Sequence, residues 1–198
     1  MRQSRNFEWL VLGTAAALAT ACTGVRFPNS GWEDGRRTCE NDCPGRLEQV
    51  RRFGGPAADA GRAIGLLSGG ALLLTGTVTA PATWSSPSGD APFCEGIERG
   101  AFLARVGSGG DVQWVSCANQ ADAYGLAVMQ DGGAVVAGEF EYSAVFAPGT
   151  AEEATVTALG RYDMFVARYD DDGKLLWVRT GGGTGRTRSA AVAPMPDG

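Results

Sequence analysis

Short apolar runs alternate with clusters of Gly, Asp and Ser along most of the chain. Runs rich in Val, Leu and aromatics, bounded by turn-forming residues, predict strands rather than helices. The best-covered stretch holds four of them: Gly133 to Phe140, Met164 to Tyr169, Lys174 to Arg179, and Arg188 to Ala193. Asp170-Asp171-Asp172-Gly173 forms the tight turn between the second and third, with Gly173 supplying the positive φ that such turns need. The runs are nearly continuous in apolar residues, which predicts strands covered on both faces. Pro148, Gly149 and the Glu152-Glu153 pair predict a long surface loop between the first and second strands.

The pattern repeats. Phe102-Leu103-Ala104-Arg105 recurs as Phe165-Val166-Ala167-Arg168, and Gly110 to Val115 recurs as Gly173 to Val178, both at an offset of 63 residues. Ser68 to Gly76 matches Asp131 to Gly138 at the same spacing with one residue deleted. A partial copy, Arg46 to Arg51 followed by Gly54-Gly55, lines up with Lys174 to Arg179 and Gly182-Gly183 at an offset of 128. A four-stranded sheet cannot bury both faces alone, so repeated sheets must stack, and radial stacking is the β-propeller solution. The fold class expected is all-β, with four-stranded antiparallel blades of β-propeller type.

Phe165 to Arg168, Asp172-Gly173, Leu175 to Trp177, Gly182-Gly183, Ala191-Val192 and Asp131 to Gly138 together resemble the bacterial seven-bladed β-propeller repeat family. Its units carry a Phe-Val-Ala-Lys-like strand, an Asp/Ser-Gly turn, a Leu-x-Trp-like strand, a Gly-Gly turn, and a Val-rich strand ending in Thr-Gly or Ala-Gly. The resemblance covers roughly residues 46 to 198 and implies architecture rather than activity. Gln49 departs from it where a tryptophan is expected, and Arg62-Ala63-Ile64 is a degenerate fourth strand. It implies that Phe102, Trp114, Phe165 and Trp177 form the repeat core, the tryptophans filling the space between blades. Counted this way, residues 46 to 68 hold the last two strands of one unit, 71 to 129 a full unit and 133 to 194 another. That is about two and a half blades where propellers close with roughly four to eight. A partial, truncated propeller is expected.

Thirty glycines without a three-residue period fit many tight turns and exclude collagen. The net charge of −5 offers no general attraction for nucleic acid, which is not expected as a partner.

The first residues read as an address. Arg2 and Arg5 precede an apolar stretch from Trp9 to Ala21, too short to span a bilayer comfortably. Leu18-Ala19-Thr20-Ala21-Cys22 resembles a bacterial lipobox, with Ala19 where Leu is usual. Residues 1–21 are therefore expected to be a signal peptide, Cys22 a lipidated mature N-terminus, 22–45 a Cys-containing linker and 46–198 the partial propeller. The protein is expected to be exported and held at the bacterial cell envelope, its membrane contact made through the lipid. Cys39, Cys43, Cys94 and Cys117 then remain as disulfide candidates in an oxidising compartment. Three pairings are possible, the most economical joining Cys39 to Cys43 and Cys94 to Cys117. A zinc site is disfavoured, since Cys39-x-x-x-Cys43 has no second close Cys pair and the chain has no His.

Sites for chemistry are sparse. Gly181-Gly182-Gly183-Thr184-Gly185-Arg186-Thr187 lacks the Gly-Lys-Ser/Thr of a phosphate loop and puts Arg186 where a dinucleotide loop needs Gly. Asp170 to Gly173 lacks the later ligands of a calcium loop, with Lys174 and Gly181 where oxygens are needed. Without His there is no Ser-His or Cys-His nucleophile pair. Carboxylate pairs for acid/base chemistry on a sugar could come from Asp122, Glu139 and Asp163, as in a propeller-type lyase or glycosidase, but nothing in their spacing selects a pair. The expectation is a non-catalytic binding or scaffold module without cofactor or metal, meeting a protein or glycan at its loops.

Overall fold

The computed structural model describes residues 50–86 and 89–195. Ten strands follow in chain order: β1 (Phe53–Gly54), β2 (Ala60–Leu66), β3 (Leu72–Thr79), β4 (Ala82–Ser86), β5 (Gly89–Phe93), β6 (Arg99–Val106), β7 (Val112–Val128), β8 (Ala134–Phe146), β9 (Ala154–Tyr169) and β10 (Leu175–Gly181). The protein is all-β, and every strand pair is antiparallel. One sheet runs β2-β3-β6-β7-β8-β9-β10, and a smaller one runs β1-β4-β5. Among the described residues no helix is long and apolar enough to cross a membrane.

β7 decides the layout. Its first half pairs with β6 and most of its second half with β8, and Gln120, at φ 58°, turns the chain between them. The large sheet thereby divides into two four-stranded meanders. The first is β2, β3, β6 and the front of β7; the second is the rear of β7, β8, β9 and β10. Their ladders agree rung for rung. Arg105 faces Trp114 in one and Arg168 faces Trp177 in the other; Gly76 faces Phe102, and Gly138 faces Phe165. Both carry a bulge at the same place, between Gly61 and Ala63 and between Ala123 and Gly125. A bulge distorts the ladder beside it. Here a Cβ at Gly76 or Gly138 would lie 1.9 Å from the facing carbonyl of Ala60 or Asp122. Only glycine fits at those positions, which gives the Thr75-Gly76 and Ala137-Gly138 pairs their physical reason.

Two cores result. Leu73, Ala101 and Leu103 from the first meander pack with Val136, Phe140, Phe165, Ala167 and Tyr169 from the second. The opposite face of the first meander, with Leu74, Val78, Phe102 and Ala104, is covered by Trp84, Phe93 and Ile97 from the small sheet and its exit. A disulfide between Cys94 and Cys117, with Cα atoms 5.6 Å apart, fastens that cover to β7.

Several expectations need correction. Arg188 to Ala193 is not a strand; it crosses the second meander and makes only isolated backbone bonds, Ser189 N–H donating to Gly138 O at 3.3 Å. The strand expected to close one unit instead forms a hairpin with the strand opening the next, because the tight turns 67–71 and 129–133 join them. The boundary between the two meanders therefore falls at Gln120. Residues 147–153 are a short turn, since β8 and β9 continue past the expected loop as a ladder from Ser143–Thr157 to Phe146–Ala154. Cys94 sits at the end of the β4–β5 hairpin, so its disulfide with Cys117 joins the small sheet to the meander. Cys22, Cys39 and Cys43 lie outside the described residues.

Candidate functional site

The richest polar cluster lies where the second meander meets both the first meander and the segment after β10. Asp122 and Glu139 face each other across β7 and β8, and Asp163 follows on β9 opposite Phe140. The antiparallel pairing sets Asp122 beside Glu139, while Asp163, paired with Phe140 rather than with Glu139, falls on the opposite face of the sheet. Each is already occupied. Asp122 accepts hydrogen bonds from Thr77 Oγ1 at 2.7 Å and Arg99 Nη2 at 2.5 Å. Glu139, only 2 % exposed, accepts from Tyr124 Oη at 2.8 Å and from Arg186, whose Nε is 2.9 Å away and whose Nη2 closes the fork. Asp163 Oδ2 accepts from the Leu159 N–H at 2.8 Å, while buried Oδ1 has no hydrogen-bond partner among the described residues.

Arginine and tyrosine line the same rim. The Arg161 guanidinium lies 5.0 Å from the Tyr162 ring centre and 6.0 Å from that of Tyr142, while ion-pairing Glu141 at 2.8 Å. Arg186 lies 4.7 Å from the Tyr162 ring centre. Arg62 and Arg188 both approach Tyr124, at 5.5 and 5.8 Å, and neither makes an ion pair among the described residues. A guanidinium over an aromatic face gains cation–π attraction and keeps its N–H donors directed outward.

These contacts set the protonation states. The Arg186 fork holds the Glu139 carboxyl below its ordinary 4.5, against the opposing effect of burial. Burial foremost, helped by the bond to Glu139, pushes the Tyr124 phenol up to about 12. Arg161 likewise lowers Glu141. The rim is thus a set of fixed opposite charges interleaved with tyrosine rings at neutral pH. It can offer donors, acceptors and flat apolar faces to a ligand.

Other sequence candidates sit elsewhere. Asp170 to Gly173 is a turn in which Asp170 Oδ1 accepts from the N–H groups of Asp172 and Lys174. No group of three or more metal-ligating side chains occurs among the described residues. Gly182 lies against Asp163, where a Cβ would come 2.0 Å from Oδ1, so this stretch of the glycine run permits close packing. Phe102 and Phe165 are buried; Trp114 packs beside the larger core, while Trp177 is 38 % exposed. The arginines and tyrosines of the rim escaped the sequence reading, for they come from the middles of β2, β7, β8 and β9 and from the segment after β10, and only the pairing of those strands brings them near one another. Their one signal is the alternation in Glu139-Phe140-Glu141-Tyr142 and Arg161-Tyr162-Asp163. Neither a protein-family model nor a curated protein matches the chain.

Proposed function

We propose that the chain is a non-catalytic binding or scaffold module of β-propeller type, exported and held at the bacterial cell envelope by lipid on Cys22. A protein or glycan ligand meets the Arg/Tyr rim. The observation carrying the propeller reading is the recurrence of one four-stranded ladder at the 63-residue offset, with Arg105 opposite Trp114 and Arg168 opposite Trp177, and with the two meanders packed through a shared core. Radially repeated sheets bury their faces in this way.

The rim favours binding over acid/base catalysis. A glycosidase acid has a raised pKa, whereas Glu139 is lowered and forked by Arg186. Asp122 accepts hydrogen bonds from Arg99 and Thr77, which leave it committed to the fold. Exposed Tyr142, next to Arg161, is the ring most accessible to a ligand.

The test uses the full chain produced with its N-terminus in a bacterial host fed labelled fatty acid, followed by a glycan and envelope-protein binding screen. Label on the native protein, none on Cys22→Ser, and a ligand lost on Tyr142→Ala are expected. Label retained by Cys22→Ser would sink the anchor; turnover of a polysaccharide abolished by Glu139→Gln would replace the binding module with an enzyme.

A further inference from the structure

The contact between the two meanders contains a latch. The turn after β9 exposes the Asp171 carbonyl because Asp170 Oδ1 takes the Asp172 and Lys174 N–H groups, while Gly173 closes the turn at φ 80°. Trp114 of the first meander lies on that glycine, so closely that a Cβ there would come 2.5 Å from the indole. Its Nε1–H donates to Asp171 O at 3.0 Å, and Arg105 Nη1 donates to the same carbonyl at 2.9 Å. Leu73 and Leu103, 0 % and 2 % exposed, fill the contact beneath the latch.

The second meander presents the same parts on its far face, where among the described residues no second turn lies on them: Val135 and Val166 are half-buried rather than buried. Val135, Val166 and Trp177 occupy the rungs of Leu73, Leu103 and Trp114. Trp177 is 38 % exposed, and its indole N–H has no acceptor among the described residues; neighbouring Leu176 is 54 % exposed.

The path of the chain after β10 points to the occupant. At the first junction Asp122 bonds both Thr77 and Arg99. At the second, Arg186 meets Glu139 and Tyr162, which stand at the rungs equivalent to Thr77 and Arg99, and Ala191 packs on Gly125. The segment after β10 therefore follows, over the second meander, the course that the rear of β7 takes over the first. A second copy of the chain fits poorly. Its Val136 and Phe165 face is buried under its own first meander, and its Phe102 face is under the disulfide-fastened sheet.

We propose that the far face of the second meander is the docking surface for a further four-stranded unit of the same repeat. Trp177 recognises it by laying its ring on the glycine of that unit's Asp-x-Gly turn and donating Nε1–H to the carbonyl two residues before that glycine. The inference rests on reading the meanders as stacked repeat units, but not on the anchor or ligand, whose tests it leaves untouched.

The experiment extends the full chain after Gly198 with a second copy of its own residues 133–195, so that Asp197-Gly198 stands where Asp131-Gly132 does. Indole N–H exchange is followed by NMR, with Trp177 assigned from Trp177→Phe in both proteins. In the original chain the Trp177 signal exchanges fast; in the extended chain it slows by about tenfold or more, while Trp114 is protected in both. Unchanged exchange of Trp177 in the extended chain overturns the proposal, whether or not the appended copy folds, because the face is then no template. Protection of Trp177 in the original chain that disappears on dilution assigns the face to a second copy and overturns it equally.

Discussion

The two meanders share rungs, turns and bulges, yet the first is covered along both faces, whereas the second is covered on its far face only at the Glu139 end, by the segment after β10. In the first, Leu73 and Leu103 face the second meander, while Leu74 and Phe102 face the disulfide-fastened sheet. In the second, Val136 and Phe165 are buried against the first, while Trp177 and Leu176 on β10 remain exposed. Equivalent sequence therefore secures equivalent pairing, because hairpin turns and bulges act locally. Burial depends on which neighbour is present.

The sharpest test of that equivalence is to empty both cores in the same way. Phe102 and Phe165, 2 % and 1 % exposed, face Gly76 and Gly138 respectively. Phe102→Ala and Phe165→Ala should each cost about 3–5 kcal/mol in urea unfolding, the range for deleting a buried ring. If one variant proves far cheaper than the other, equal pairing does not carry equal packing.

Removing the cover comes next. The Cys94→Ser, Cys117→Ser double variant loses a cross-link closing 23 residues, worth about 2–4 kcal/mol. Hydrogen exchange should show β4 and β5 losing protection while β8 to β10 keep theirs. Equal loss in β8 to β10 would mean that the small sheet supports the whole molecule rather than one face.

The ladder was legible in the sequence because turns and apolar runs report local geometry. The Gly-Gly-Ala-Val and Leu-x-Trp patterns located where β8 and β10 begin, and Asp170 to Gly173 located its turn, whereas the far end of β8 and the start of β9 run well past the expected bounds. The grouping of strands was not legible, since apolar runs are the same on either side of Gln120 and only hairpin turns decide which neighbours pair. Nor was the cover, because Ala82 to Phe93 folds as a separate hairpin whereas the matching stretch from Ala144 to Thr155 merely continues β8 and β9. For the rim, the sequence yielded Asp122, Glu139 and Asp163 as separate carboxylates. The arginine partners of Asp122 and Glu139 come from β6 and from the segment after β10, at separations of 23 and 47 residues, which no local pattern encodes.

Acid should separate the meanders by a smaller effect. Asp131, Glu139 and Glu141 are all held below their ordinary values by Arg168, Arg186 and Arg161 respectively, and all belong to the second meander or its first turn. A carboxyl lowered in the folded state stabilises above its unfolded value and loses that contribution as pH falls through its folded value. Stability should therefore decline below about pH 4.5. Amides near Glu139 and at Thr187 and Ser189 should open first, and Glu139→Gln should flatten the decline. An acid transition that starts in β2 and β3 would break the assignment.

The smallest expected change is the most discriminating. Trp114 and Trp177 stand on the same rung opposite Arg105 and Arg168, so pairing alone assigns them equal worth. Their surroundings do not: Trp114 lies on Gly173 and donates to Asp171 O at 3.0 Å, whereas Trp177 is 38 % exposed with Arg179 5.8 Å from its ring centre. Trp114→Ala should cost about 2–3 kcal/mol, from lost packing and a carbonyl left with one donor fewer, and Trp177→Ala within about 0.5 kcal/mol of zero. Urea midpoints of the two variants, measured side by side, decide it. Equal losses would show that a neighbour already covers Trp177 in solution, and the two meanders would then differ in sequence alone.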